Sequence, residues 1–222
     1  MTNTRKKMKN KNLYLAYFVA ILFVTSRTTT VVYDCASLQN IKTNLTANYI
    51  INQTIDCTGY QFSTISGAFS GTIEGRGNMI INLTIPSGIS SVAIFCNGMN
   101  ALISDLFLIN FKSAGTTTSG SFCGGLFAGC TSCTFNNVHF NVSNASLSNT
   151  IKGIGQVGAF VGALTGGNFT NCSLTNTYIN GDATSSVGEI GGFIGLVCGT
   201  TYMTNCHNNG FPSNPSTHII DA

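Results

Sequence analysis

Charge is what this chain has least of. Asp, Glu, Lys and Arg together make up 8% of its 222 residues, against roughly a quarter in an average soluble domain. Solubility therefore falls to Asn, Ser and Thr. Acidic residues are limited to Asp34, Asp56, Glu74, Asp105, Asp182, Glu189 and Asp221, with no Asp-Asp or Asp-x-Asp pair. Paired carboxylates are the usual equipment of polysaccharide-cleaving enzymes, so the sequence argues against that chemistry and assigns no catalytic residue. Glu74 reads as a solvated turn residue beside Arg76. Tryptophan is absent, and there are only three prolines and three histidines. His139, His207 and His218 cannot complete a zinc site around Cys130-x-x-Cys133, because no second ligand pair stands at the required spacing. No metal and no cofactor is expected.

What is present suits strands and tight turns. Apolar residues reach 43%, with 25 Gly and 15 Phe, a mixture poor in the strong helix formers. The chain opens with the basic side chains Arg5, Lys6, Lys7, Lys9 and Lys11, then the apolar run Leu13–Val24, then small polar residues. This order predicts a secretory signal peptide over residues 1–26, since a run of 12 is short for a membrane span. Membrane attachment is expected only if that segment is retained. Without it, five basic side chains face seven acidic ones, a net charge of −2. No basic patch then remains to recruit nucleic acid, and the expected location is secreted or at the extracellular surface.

Export puts nine cysteines in an oxidising setting. Cys35 and Cys57 flank a short cap predicted around Asp34–Leu45, in which Leu38, Ile41 and Leu45 have helical spacing, and they form the favoured disulfide. Cys130 and Cys133 suit either a local disulfide or two strand-turn thiols rather than metal. Cys172 and Cys206 fall on equivalent repeat positions, where they either bond or remain stacked core thiols. Candidate N-glycosylation sequons start at Asn44, Asn52, Asn82, Asn141, Asn144, Asn168 and Asn171, about as many as the Asn, Ser and Thr content yields by chance.

Internal repetition is the strongest signal. "GLFAG" from Gly125, "GAFVG" from Gly158 and "GGFIG" from Gly191 recur in step with "FNNVHF" from Phe135, "FTNCSL" from Phe169 and "MTNCHN" from Met203. Within each unit, apolar and polar positions alternate in short runs, the mark of half-buried strands. Such a unit cannot bury its own apolar face and must stack on the next copy. Asn82, Asp105, Asn137, Asn171 and Asn205 read as one equivalent column, and stacked amides can hydrogen-bond along a solenoid. These features predict an all-β, right-handed single-stranded parallel β-helix, the hand following from the preference of parallel crossovers. The expected organisation is a cap and first coil over 27–68, repeats over 69–210 with the clearest units from 124, 158 and 191, and a tail over 211–222.

The segment from Asn44 to Ile85, with its "GTIEGRG" turn before "INLTI", resembles the opening of extracellular β-helix proteins. The later "GGFIG…TNC" units resemble GLUG-motif repeats of surface and secreted proteins. The resemblance implies a parallel β-helix in an adhesive or surface setting and supplies no catalytic residues. The leading expectation is a non-enzymatic protein that binds extracellular glycans or surface proteins. The alternatives are a polysaccharide-active lyase or glycosidase and a purely structural coat or wall component.

Overall fold

The computed structural model describes residues 29–86, 91–114, 121–141, 149–153, 155–181 and 189–212. The signal segment over 1–26 and the tail beyond Pro212 lie outside the described residues. No helix among the described residues is long and apolar enough to cross a membrane.

Strands stack in parallel into a solenoid with five faces per coil. Face A stacks Thr29–Val32, Asn48–Ile51, Thr72–Glu74, residues 102–104, 134–136, 167–170 and Thr201–Thr204. Face B stacks Ile55–Asp56, Met79–Ile81, then residues 106–109, 138–141, 173–174 and 207–208. Face C joins Thr84–Ile85, Lys112–Ala114, Asn149–Gly153 and residues 177–181. Face D is a separate sheet of Ser91–Val92, Ser121–Cys123, Gly155–Val157 and Glu189–Ile190. Face E stacks Ile65–Phe69, Phe95–Met99, residues 127–131, 161–164 and Ile194–Val197. Every registered pair is parallel, as the repeat requires.

The first repeat series is the corner from face D to face E. Gly124 donates its N–H to the Val92 carbonyl, Gly158 to Cys123 and Gly191 to Val157. The equivalent residues are thus Gly124, Gly158 and Gly191, so "GLFAG" starts one residue late relative to the other two copies. Pairing of Phe127 with Val161, and of Val161 with Ile194, sets that register. Glycine is needed here for space. An added Cβ would run into the carbonyl oxygen three residues on, Phe127, Val161 or Ile194 respectively.

The second series is the corner from face A to face B. Asp105, Asn137, Asn171 and Asn205 there have φ of 51°, 56°, 53° and 53°, a left-handed conformation that Asn and Asp tolerate better than other side chains. The single strand Phe127–Asn141 crosses three faces because it bends at Ser132 and Asn137, both with positive φ.

Phenylalanine fills the interior. Phe69, Phe95 and Phe127 stack with centroids 4.6 and 5.3 Å apart, and Phe160 lies 5.0 Å from Phe193. The buried Asn149 side chain bridges three coils. Its Oδ1 accepts from Phe111 N, and its Nδ2 donates to the Asn141 carbonyl and to Thr177 Oγ1.

The cap follows a first strand rather than preceding it. Helix Cys35–Gln39 runs into a 3₁₀ turn over Asn40–Thr43, opened by a reciprocal capping box between Asp34 and Ser37. Leu38 and Ile41 are buried and Leu45 is partly buried against the core, as their spacing predicts. Cys35 bonds to Cys57 across this cap, with Cα atoms 5.6 Å apart.

Candidate functional site

Face B carries the most organised polar surface. Its outward column runs Met79, Phe107, His139, Ser173, His207 on successive coils. Alternation along each strand explains the placement: Ile80, Leu108 and Phe140 point inward and are buried, so their neighbours point out. Met79 and His207 are exposed, and the three between are half-buried. Phe107 and His139 stack with centroids 4.8 Å apart.

Side-chain ladders border this column on both sides. On the A–B corner, Asn137 Nδ2 donates to Asp105 Oδ1 at 2.8 Å and Asn171 Nδ2 donates to Asn137 Oδ1 at 2.8 Å. Asn205 repeats the backbone turn. On the B–C corner, Asn110 Nδ2 donates to Asn82 Oδ1, and Asn82 Nδ2 donates to Asp56 Oδ1 and Thr58 Oγ1. Asn82 therefore belongs to a different column from Asp105, because Ile81 pairs with Ile109 and the turn over 75–78 stands opposite Asp105 instead. The bonds from Thr58 and Asn82 hold the Asp56 carboxyl below its ordinary range.

The ladder also settles His139. Its Nε2 lies 2.9 Å from Asn137 Oδ1 and its Nδ1 lies 2.7 Å from Ser173 Oγ. Burial pushes the imidazole below its usual pKa, which favours the neutral ring at pH 7. Sequence reasoning weighed His139 only as a metal ligand and missed Ser173. The 34-residue offset that aligns Asn137 with Asn171 also aligns 139 with 173, so the signal was present.

Cysteine placement separates the expected pairs. Cys130 and Cys133 form a disulfide, Cα atoms 6.1 Å apart, which removes the Cys-x-x-Cys motif from metal chemistry. Cys172 and Cys206 are not bonded, contrary to the disulfide alternative. Equivalent positions on parallel coils point their side chains the same way, which favours a stack of thiols over a bridge. Desolvation pushes the Cys172 thiol up to about 12. No group of three or more His, Cys, Asp or Glu able to hold a metal is found among the described residues.

Of the sequon asparagines, Asn44, Asn52, Asn168 and Asn171 are exposed, whereas Asn82 and Asn141 are half-buried; Asn144 lies outside the described residues. Among the described residues the carboxylates are dispersed with one exception. Glu74 pairs with Arg76 at 3.0 Å and sits opposite Ser104, so Asp105 is its diagonal neighbour, with Cα atoms roughly 6 Å apart on rung and residue spacings. Glu74 is exposed and Asp105 half-buried.

These strand pairings define a parallel β-solenoid stapled by two disulfides. No family model matches the chain, and neither does any curated protein sequence. Among solved structures it is similar to a Bacteroides ovatus protein named as a candidate immunoglobulin A1 protease, at 13% identity and a TM-score of 0.49, over 88% of this chain and 78% of that one.

Proposed function

We propose that this chain is an exported β-solenoid of the GLUG-repeat kind that works at an extracellular surface by binding glycans along face B, without cleaving their glycosidic bonds. The observation that carries this reading is the outward column of Met79, Phe107 and His139 bordered by two amide ladders. A sugar ring offers an apolar C–H face and a rim of hydroxyls. Met79 and the outer edges of the stacked Phe107–His139 pair supply apolar surface for the first, and Asn side chains supply both donors and acceptors for the second. Repetition at one coil spacing, about 4.8 Å, presents the same groups in series to a polymer. Two disulfides suit a protein folded in an oxidising compartment.

The test is a glycan array followed by titration calorimetry with the disulfide-intact protein. Binding at micromolar affinity, reduced at least tenfold by a Phe107→Ala and Asn110→Ala double substitution, is the expected result. Absence of any glycan binding favours the purely structural alternative. Turnover of a polysaccharide, abolished by Glu74→Gln, would establish the glycosidase or lyase alternative instead.

A further inference from the structure

We propose that Ser173 is an activated nucleophile with His139 as its general base, able to accept an acyl group from an ester. Which atoms can donate fixes the role of each group. A carboxylate only accepts hydrogen bonds, so at Asp105 Oδ1 the Asn137 side chain must present its Nδ2, 2.8 Å away. That fixes the amide and turns Asn137 Oδ1, an acceptor, toward His139 Nε2 at 2.9 Å. Asn171 Nδ2 donates to the same oxygen at 2.8 Å, which agrees with that orientation. His139 must therefore carry its proton on Nε2. In a neutral ring the lone pair is then on Nδ1, and the Ser173 hydroxyl, 2.7 Å away, is the donor. Phe107 stacks on the imidazole and holds its plane, and partial burial keeps the ring in its neutral, proton-accepting form.

This is the order nucleophile, base, orienting group, spread over neighbouring coils: Asp105 and Asn137 orient His139, and His139 faces Ser173. The two ring nitrogens exchange the places they hold in the Ser-His-Asp triad. His207 is the Cα partner of Ser173 on the next coil and is exposed, which makes it the candidate donor to the oxyanion.

The reaction balances without a cofactor. Ser173 Oγ bonds to the ester carbonyl carbon while its proton passes to His139 Nδ1 and the carbonyl electron pair moves to oxygen. Collapse breaks the bond to the alcohol, which leaves with the proton from Nδ1. Water, deprotonated in turn by Nδ1, then releases the acid and restores Ser173, so that ester and water become acid and alcohol. The open face suits a short acyl group on an accessible hydroxyl. That such a hydroxyl belongs to a glycan rests on the binding reading above, whereas the esterolysis itself does not.

The test uses the disulfide-intact protein made in a host without N-glycosylation, because Ser173 also completes the Asn171 sequon. A fluorophosphonate probe is followed by peptide mass spectrometry, and p-nitrophenyl acetate hydrolysis is measured in parallel. Expected results are a label on Ser173, loss of label and turnover in Ser173→Ala, and a fall of at least 100-fold in His139→Gln. The turnover should also decline as pH falls through the folded His139 pKa, which lies below its ordinary value. An unlabelled Ser173 in the wild-type protein, or hydrolysis that survives Ser173→Ala, would overturn the proposal. Glycan binding by a wild-type protein whose Ser173 stays unlabelled would overturn the nucleophile and leave the binding reading standing alone.

Discussion

Replacing Asn137 tests how the A–B corner is built, because this residue has two separable duties. Its backbone has φ of 56°, and its side chain takes part in bonds to Asp105, Asn171 and His139. Three bonds at about 0.5–1.5 kcal/mol each, discounted for their half-exposed setting, give about 2 kcal/mol for the side chain. Alanine in the left-handed region adds about 1–2 kcal/mol of steric cost, which glycine avoids at an entropic cost of about 0.5–1 kcal/mol. Asn137→Ala is thus expected to destabilise by about 3–4 kcal/mol, and Asn137→Gly by about 1 kcal/mol less. Equilibrium urea unfolding followed by circular dichroism reads both, with amide exchange of neighbouring coils to show whether loss is local. Equal destabilisation by Ala and Gly would refute the conformational part of this reasoning. A glycine variant as stable as wild type would refute the ladder's contribution.

The disulfides should differ in weight: opening Cys35–Cys57, which spans 22 residues, costs about 3 kcal/mol on loop-entropy grounds, whereas Cys130–Cys133, spanning 3, costs under about 2 kcal/mol. Thermal melts of Cys35→Ser with Cys57→Ser, and of Cys130→Ser with Cys133→Ser, compare them. At the D–E corner, Gly158→Ala drives a Cβ into backbone atoms of Val161 and Gly195 and should cost about 3 kcal/mol. Gly59→Ala, at φ +75° with open space around it, should cost only about 1–2 kcal/mol, and comparable losses at both sites in urea titrations would contradict the packing argument. His139 has a folded pKa below its ordinary 6.5, so the unfolded chain binds the extra proton first. Its contribution is complete above pH 6.5 and is lost as pH falls through the folded value. His139→Gln should remove that part of the pH dependence, measured as the change in urea midpoint between pH 7 and pH 5.

Much of the architecture was readable because a solenoid repeats its reasons. Glycine at the D–E corner and Asn at the A–B corner recur for steric causes that act at every coil, so period and position survive in the sequence. The Cys35–Cys57 bond and the buried faces of Leu38 and Ile41 followed from spacing within one local segment. Register was less accessible. The one-residue offset at Gly124 and the assignment of Asn82 to the B–C corner depend on how coils of unequal length are matched. That matching is decided by inward packing of residues such as Phe127 and Ile80 rather than by the turn residues themselves. The Ser173–His139 contact depends on the same matching, because its two members lie 34 positions apart and meet only when adjacent coils are aligned.

The stacking of coils along one axis also governs how the protein yields to force. A pull on the two ends of the described solenoid loads the hydrogen bonds of an outermost coil first, while each inner coil stays held by neighbours on both sides. Detachment then proceeds coil by coil, as a zipper opens, and extension is taken up in steps. At the N-terminal end the Cys35–Cys57 bond fastens the cap to the coil beneath it, so peeling from that side meets a covalent stop. The described strands Thr201–Thr204 and His207–Pro212 carry no such bond, so tension meets no covalent stop within that coil.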